Sequence, residues 1–152
     1  MDKLNMIAPC LFGVESIAAD EFRRMGFDDV VTENGRVKLS GDFNMLARAN
    51  ICSRFAERIM VNVGEFTAVT FTELFDGVKA LPWEDYIGRD DAFPVNGWSI
   101  DSQLFSIPDC QSIIKKAIVE RLKLKYRISV FSETGPQYKV RFSIHKNCVS
   151  MM

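Results

Sequence analysis

The chain is poor in histidine and cysteine and has no long apolar run. No segment approaches the roughly 20 apolar residues that a membrane span needs, and the start MDKLNMIAPCLFGVES does not resemble a signal peptide. The four cysteines lie far apart, and His145 and Cys148 give only an H-x-x-C pair. We therefore expect no membrane association, reduced thiols, no metal site and a cytoplasmic location.

Motifs for small-molecule chemistry are also missing. The nine glycines are scattered, so none forms a phosphate-binding loop, and no nucleophile and base stand at a recognisable spacing. The carboxylates at Glu84-Asp85 and Asp90-Asp91 lie in a segment rich in turn signals, where a solvated loop is a better interpretation than acid–base work. The sequence therefore predicts no catalysis and no bound cofactor in this chain.

The first part of the chain carries strong local signals for a small α/β lobe. An apolar run covers residues 4–11 and a helical period covers 14–25, after which Asn34-Gly35 marks a hairpin. Asp42 is placed to cap a second helix, and residues 59–66 alternate as a half-buried strand does. The predicted order of strand, helix, strand, strand, helix, strand is the ferredoxin-like one.

The second part predicts a longer set of elements around one amphipathic helix. Thr70 and Glu73 form a capping-box pair ahead of a helix, and a strand is expected around Trp98. A long helix should then begin near Pro108, where Ser106 and Asp109 form a second capping-box-like pair. Two closing strands are expected over 128–131 and 138–144, with a turn between them.

Charge is unevenly distributed along the chain. Residues 108–152 hold nine Lys or Arg against three acids, whereas residues 1–107 hold ten against seventeen, and the whole chain carries a net charge of −1. A near-neutral chain with such a basic end is typical of a surface that attracts an anionic partner. RNA binding through such a patch should be moderate and strongly dependent on salt.

The basic residues of the long helix do not all point the same way. At about 100° per residue, Lys116, Lys123 and Arg127 fall on one flank and Lys115 on the other. Arg121 projects into the apolar arc, so it must snorkel, pair with an acid or face a ligand. The alternative for the whole set is that bases near a helix end only complement the helix dipole.

These features define a candidate RNA-binding set. We expect Ser102 and Gln103, just before the helix, to donate hydrogen bonds to sugar or phosphate from the same edge as the bases. Four aromatic residues, Trp83, Tyr86, Phe93 and Trp98, are candidates for base stacking beside basic residues, although most of the twelve Phe should be core. The predicted RNA-binding residues are Ser102, Gln103, Lys115, Lys116, Arg121, Lys123, Arg127, Lys139 and Arg141.

Several blocks resemble one known family. ENGRV, ARANICSRFAERI, VGEFTAVTFTELFDGVKALPWEDYI and FPVNGWSIDSQLFSIPDCQSIIKKAIVERL resemble, in order and spacing, the N-terminal region of bacterial ribosomal RNA guanine-N2 methyltransferases with a THUMP domain. That resemblance implies an α/β (α+β) fold, with a ferredoxin-like βαββαβ lobe at 1–66 and a THUMP-type lobe at 67–152. The boundary is expected between about residues 50 and 67.

The resemblance also implies a division of labour in a longer protein. A Rossmann-like domain, C-terminal to both lobes, would use S-adenosylmethionine, and these lobes would deliver structured RNA, here large-subunit ribosomal RNA, to it. The glycine-rich cofactor loop and the (Asp/Asn)-Pro-Pro-(Tyr/Phe) motif of that domain are absent from this chain. The competing hypothesis is a protein-docking module without RNA contact, which the acidic residues 1–107 favour for the first lobe.

Overall fold

The computed structural model describes residues 3–152, which divide into two compact units between Asn62 and Val63. Each unit contains one four-stranded sheet and its own apolar core. The predicted α/β fold is therefore confirmed. No helix within residues 3–152 is long and apolar enough to cross a membrane.

The first unit follows the predicted βαββαβ order, and its sheet has the strand order β2-β3-β1-β4. Its two helices and four strands are β1 (Leu4–Pro9), α1 (Glu15–Arg24), β2 (Val30–Glu33), β3 (Arg36–Gly41), α2 (Phe43–Cys52) and β4 (Met60–Val61). All strand pairs are antiparallel. The core forms where buried residues of α1, such as Phe22, pack with those of β1 and β3, such as Met6 and Val37.

Local signals account for the turns of this unit. Gly35 adopts a φ of +72° between β2 and β3, which is the left-handed conformation that an Asn-Gly hairpin turn requires. Asp42 accepts a hydrogen bond from the Met45 N–H at 2.8 Å and so caps α2 as predicted.

The single strand predicted over 59–66 is wrong. The structure has two short strands there, β4 (Met60–Val61) and β5 (Gly64–Thr67), and they belong to different sheets. β4 pairs with β1, whereas β5 pairs with β8 (Cys148–Met151). An alternating pattern fixes which side chains are buried but not which strand becomes the partner, so a change of sheet is invisible in it.

The second unit has the sheet order β5-β8-β7-β6, with two long helices. After β5 come α3 (Phe71–Ala80), a 3-10 turn (Trp83–Asp85), β6 (Val95–Ile100), α4 (Ile107–Tyr126), β7 (Val140–His145) and β8. β6 and β7 are parallel, and α4 is the crossover between them. The remaining strand pairs are antiparallel.

The two helix starts differ. Thr70 and Glu73 form the predicted capping box of α3, with the Thr70 hydroxyl accepting from the Glu73 N–H and the Glu73 carboxylate accepting from the Thr70 N–H. Helix α4 begins close to the predicted position, but the Ser106 hydroxyl donates to the Asp109 carboxylate at 2.5 Å and makes no backbone cap.

The strand predicted over 128–131 is also wrong. Helix α4 ends where Arg127 takes a left-handed φ of 54°, and an irregular segment runs from there to β7. Val130 is 75% exposed, and Phe131 packs locally instead of joining a sheet: its ring meets the Phe93 ring edge-on, with the two ring centres 5.4 Å apart. The Gly135 N–H donates to the Asp90 carbonyl, which ties this segment to the loop before β6.

The sheet of the second unit has two different faces. Val140, Phe142 and Ile144 are buried in the core that also contains residues of α3 and α4. Arg141 alternates with them and therefore lies on the opposite face. Which face a residue occupies decides which partner it can meet.

Candidate nucleic-acid interface

The helical period groups three basic residues on the outer side of α4, which we call the outer stripe: Lys116, Lys123 and Arg127. Lys116 and Arg127 are exposed and Lys123 is half-buried, while Ile114, Ala117, Ile118 and Leu122 are buried on the inner side. With a rise of 1.5 Å per residue, Lys116 and Lys123 are about 10 Å apart along the axis and Arg127 is about 6 Å further on. Lys116 and Lys123 both lie within α4, whereas Arg127 is its C-cap residue in a left-handed conformation, so the grouping of all three on one flank stays a prediction.

The outer stripe is not neutralised within the part of the chain that the structure describes. None of its three side chains makes an ion pair or hydrogen bond there. Glu120, the one acid on this side of the helix, is paired instead with Lys79 of α3 at 3.3 Å. The stripe therefore presents uncompensated positive charge to solvent, which attracts polyanions.

Lys115 is adjacent in sequence but has a different environment. Its ammonium group contacts the Glu133 carboxylate at 2.6 Å, donates to the Phe93 carbonyl at 2.9 Å and lies 3.7 Å from the centre of the Phe93 ring. These three contacts pair the Lys115 ammonium group with partners inside the second unit. Lys115 thus fastens the irregular segment after α4 to the loop before β6.

Arg121 takes the acidic-partner option among the three that the sequence left open. Its guanidinium donates two hydrogen bonds to the Glu84 carboxylate, at 2.9 and 2.6 Å, in the bidentate geometry of a strong pair. The Glu84 side chain is 10% exposed. Hydrogen bonding to Arg121 lowers the pKa of Glu84 to about 2, so the carboxylate stays ionised.

The solvated-loop interpretation of Glu84 is therefore wrong, and this is a structurally important residue that sequence reasoning missed. Its neighbour Asp85 is exposed, as expected of a loop residue. Asp90 and Asp91 make local turn contacts, Asp90 accepting from the Ser132 hydroxyl and Asp91 from the Gly88 N–H. The sequence signal that could have revealed a partner acid was Arg121, since a basic residue on the apolar face of a helix requires a partner.

Lys139 and Arg141 lie away from the outer stripe. Arg141 is on the sheet face opposite α4, and Lys139 precedes it with the same alternation. Because α4 runs antiparallel to β6 and β7, Arg127 and Lys139 meet at the same end of the unit, where α4 finishes and β7 begins. This end lies between the outer stripe and a second basic surface, which is the sheet face that carries Lys139 and Arg141.

Ser102 and Gln103 lie at the other end of α4, about 30 Å from Arg127 for a helix of this length. The Ser102 hydroxyl donates to the Ile100 carbonyl and accepts from the Asn147 N–H, so it holds a turn. The Gln103 N–H donates to the Asn147 side chain. Ser102 and Gln103 are thus one helix length away from Arg127, and their contact with RNA stays a prediction.

The candidate aromatic residues separate by burial. Trp83 is 1% exposed and donates its indole N–H to the Val78 carbonyl at 2.7 Å, and Phe93 is fully buried. Trp98 on β6 is 45% exposed. Only Trp98 of these three presents a ring to solvent.

No metal-binding group of three or more His, Cys, Asp or Glu side chains occurs in the described part of the chain. All four cysteines are free thiols, and burial raises the pKa of the Cys110 thiol above its usual range. The chemistry that the surface offers is therefore electrostatic and hydrogen-bonding.

Family models match both units. An RlmL ferredoxin-like domain matches residues 5–60, and a THUMP domain matches residues 68–152. The putative RNA methyltransferase YpsC of Bacillus subtilis is 44% identical over 97% of this chain. A ribosomal RNA large subunit methyltransferase K/L of Pseudomonas putida is 28% identical over 80% of this chain. The crystal structure of a predicted N6-adenine-specific DNA methylase from Listeria monocytogenes has 46% identity and a TM-score of 0.95 over 99% of the chain.

The chain is much shorter than these relatives. It covers 38% of the Bacillus protein, 17% of the Pseudomonas enzyme and 40% of the Listeria chain. The THUMP match contains α3, α4, β6, β7 and β8, while β5 (Gly64–Thr67) lies just before it. The chain belongs to the THUMP domain family, with an RlmL-type ferredoxin-like domain before the THUMP domain.

Proposed function

We propose that this chain binds structured RNA through the outer stripe of α4 and holds it for a methyltransferase domain of the full-length protein. The observation that supports this most directly is that Lys116, Lys123 and Arg127 have no partner in residues 3–152, while Lys115 and Arg121 on the same helix are fully engaged. Unpaired cations in a row suit the phosphate backbone of a folded RNA.

The relatives support the rest of the proposal. The Pseudomonas protein is named as a large-subunit ribosomal RNA methyltransferase, so we propose ribosomal RNA of the large subunit as the partner, in the cytoplasm. S-adenosylmethionine would be used by the methyltransferase domain. The described residues offer a basic surface to RNA and would act by orienting it.

The experiment is a charge reversal with a matched control. Lys116→Glu with Lys123→Glu should weaken binding of a structured RNA more than tenfold at low salt. Arg54→Glu with Arg58→Glu makes the same change in net charge on two exposed residues of the first unit without an ion-pair partner among residues 3–152 and should have a small effect. Equal losses from both double variants would show diffuse electrostatics and overturn the stripe.

Varying the salt concentration and the base sequence of the RNA tests whether the chain recognises the phosphate backbone or the bases. A plot of log K against log salt should be linear with a slope corresponding to about 3 to 5 phosphate contacts. Changing the bases of the RNA while keeping its fold should alter affinity little, because the stripe consists of phosphate-binding side chains. Equal affinity for an unstructured strand of the same length would contradict the proposal.

A second candidate function has support in the first unit alone. Leu11, Phe12 and Ile51 are 69%, 83% and 83% exposed, and they lie at one end of that unit, where the Glu57 N–H bonds to the Pro9 carbonyl. Clustered exposed apolar residues are typical of a protein contact. If the first unit docks the methyltransferase domain, Phe12→Ser with Ile51→Ser should weaken binding to that domain and leave RNA affinity unchanged.

A further inference from the structure

The face of β6 and β7 opposite α4 carries an exposed tryptophan beside polar residues that are exposed, half-buried or buried. Side chains on this face of the two strands are Asn96, Trp98, Ile100, Arg141, Ser143 and His145. None of these six residues is acidic, and the acid in the same sheet row as Trp98 is Glu65 of β5, which accepts a hydrogen bond from the Ser150 hydroxyl at 2.9 Å. This face therefore combines one large exposed ring with a guanidinium group on the neighbouring strand.

The register places these two groups at a useful separation. Trp98 lies beside Ser143 and Asn96 beside Arg141 in the parallel pair, so Trp98 and Arg141 are diagonal neighbours. Adjacent strands are about 4.8 Å apart and alternate residues about 6.6 Å apart, which gives about 8 Å between the two Cα atoms. Ser143, the cross-strand neighbour of Trp98, is 3% exposed, whereas Trp98 is 45% exposed.

Neither group is used elsewhere in the described part of the chain. The Arg141 guanidinium makes no ion pair or side-chain hydrogen bond there, and the Trp98 indole N–H has no acceptor. Because Trp98 is 45% exposed, a large part of its ring faces solvent. Both groups are thus available to a ligand.

We propose that Trp98 stacks an unpaired RNA base whose phosphate is bound by Arg141. Proteins hold single-stranded nucleic acid with aromatic rings that stack on the bases and cations that bind the phosphates. Unpaired bases next to an RNA helix can leave the base stack and reach such a ring. Lys139 and Arg127 lie at the end shared by both basic surfaces, so they give an RNA a positively charged path from the outer stripe to Trp98. This inference rests on the proposed function, because it adds a base-stacking site to the same RNA partner.

The two tryptophans make the proposal directly measurable. Trp83 is buried with its indole N–H bonded to Val78, so a bound base can quench only Trp98. The chain should be titrated with a fluorescein-labelled RNA hairpin carrying a run of unpaired adenosines next to its stem, and with the same hairpin without them. Anisotropy of the label reports binding, and tryptophan fluorescence reports stacking.

We expect the unpaired adenosines to quench tryptophan fluorescence and to raise affinity. Trp98→Ala should abolish the quench and lower affinity for this RNA roughly 5- to 100-fold, as loss of one base–aromatic stack does, while Trp98→Phe should retain part of it. The blunt hairpin should bind both variants like the unmodified chain. Phe71→Ala, at a 39% exposed aromatic of α3, is the matched control and should change neither signal.

The outcomes separate the two proposals. RNA binding that leaves tryptophan fluorescence and the Trp98→Ala affinity unchanged overturns the stacking site and leaves the outer stripe standing. Absence of any anisotropy change overturns both. If Trp98→Ala instead abolishes self-association of the chain in sedimentation without affecting RNA, the ring belongs to a protein interface and the stacking site is wrong.

Discussion

The two sides of α4 carry the same type of residue and use it in opposite ways. On the inner side and its flank, Lys115 and Arg121 each make at least two charged or polar contacts with other elements of the unit. On the outer side, Lys116 and Lys123 make none among residues 3–152. A basic helix can thus have half of its charge committed to the fold, so counting bases overstates what remains for a ligand.

The largest effect should come from removing the acid of the inner side. Glu84→Ala leaves the half-buried Arg121 guanidinium without a counter-charge, which should lower the free energy of unfolding by about 2 kcal/mol in urea titrations. RNA affinity of the folded protein should change less than twofold. Asp85→Ala removes an exposed carboxylate from the next residue and should cost under about 0.5 kcal/mol. A tenfold loss of RNA affinity in Glu84→Ala at unchanged stability would contradict the view that the inner side of α4 serves the fold.

The same pair predicts how stability responds to acid. The pKa of Glu84 is held at about 2 in the folded chain, below the usual 4.5, so its contribution is fully present above pH 4.5. That contribution is lost as the pH falls from 4.5 toward 2, because the unfolded state gains the proton first. The free energy of unfolding should therefore fall more steeply across this window in the unmodified chain than in Glu84→Gln. Identical slopes would show that the pair does not set the acid response.

A change at adjacent residues sharpens the comparison further. Lys115→Ala loses the contacts with Glu133 and Phe93 and should cost about 1 kcal/mol of stability, with the salt slope of RNA binding unchanged. Lys116→Ala should leave stability within about 0.5 kcal/mol and reduce that slope by about one. Equal slopes for the two variants would mean that the outer position is not a phosphate contact.

The smallest effect tests the acid within the outer side. Glu120 is compensated by Lys79, so Glu120→Gln removes a charge that is already partly neutralised. We expect RNA affinity to rise about twofold at low salt and the gain to disappear at high salt, as surface charge effects are screened. Glu57→Gln in the first unit, an exposed acid whose side chain makes no hydrogen bond or ion pair among the described residues, is the control. A larger gain at Glu57 would place the RNA on the first unit.

Sequence signals that act over a few residues predicted their structures well. Asn34-Gly35 gave the hairpin, Asp42 and Thr70 gave helix starts, and the helical period gave the buried side of α4. Each depends on backbone or side-chain geometry within one turn or one helix, so no distant residue can override it. The family resemblance, carried by several blocks in order, gave both domain types.

Features that depend on distant partners could not be predicted in this way. Arg121 and Glu84 are separated by 37 positions in the sequence. The packing of α4 on the 3-10 turn decides which acid pairs with Arg121. The segment 128–131 has a strand-like composition, but its Phe131 packs against the ring of Phe93 and the segment joins no sheet. The sheet face of Arg141 follows from alternation, yet only the position of α4 shows that this face lies away from the outer stripe.

The sheet of the second unit is closed by strands from opposite ends of its sequence. β5 opens the unit and pairs with β8, so Gly64 lies opposite Met151 and Thr67 opposite Cys148. During synthesis β5 leaves the ribosome long before its partner exists, and contacts of such high sequence separation form slowly. The sheet of the second unit therefore cannot form until nearly all of its residues have been made, because its two central strands, β7 and β8, are the last ones in the sequence.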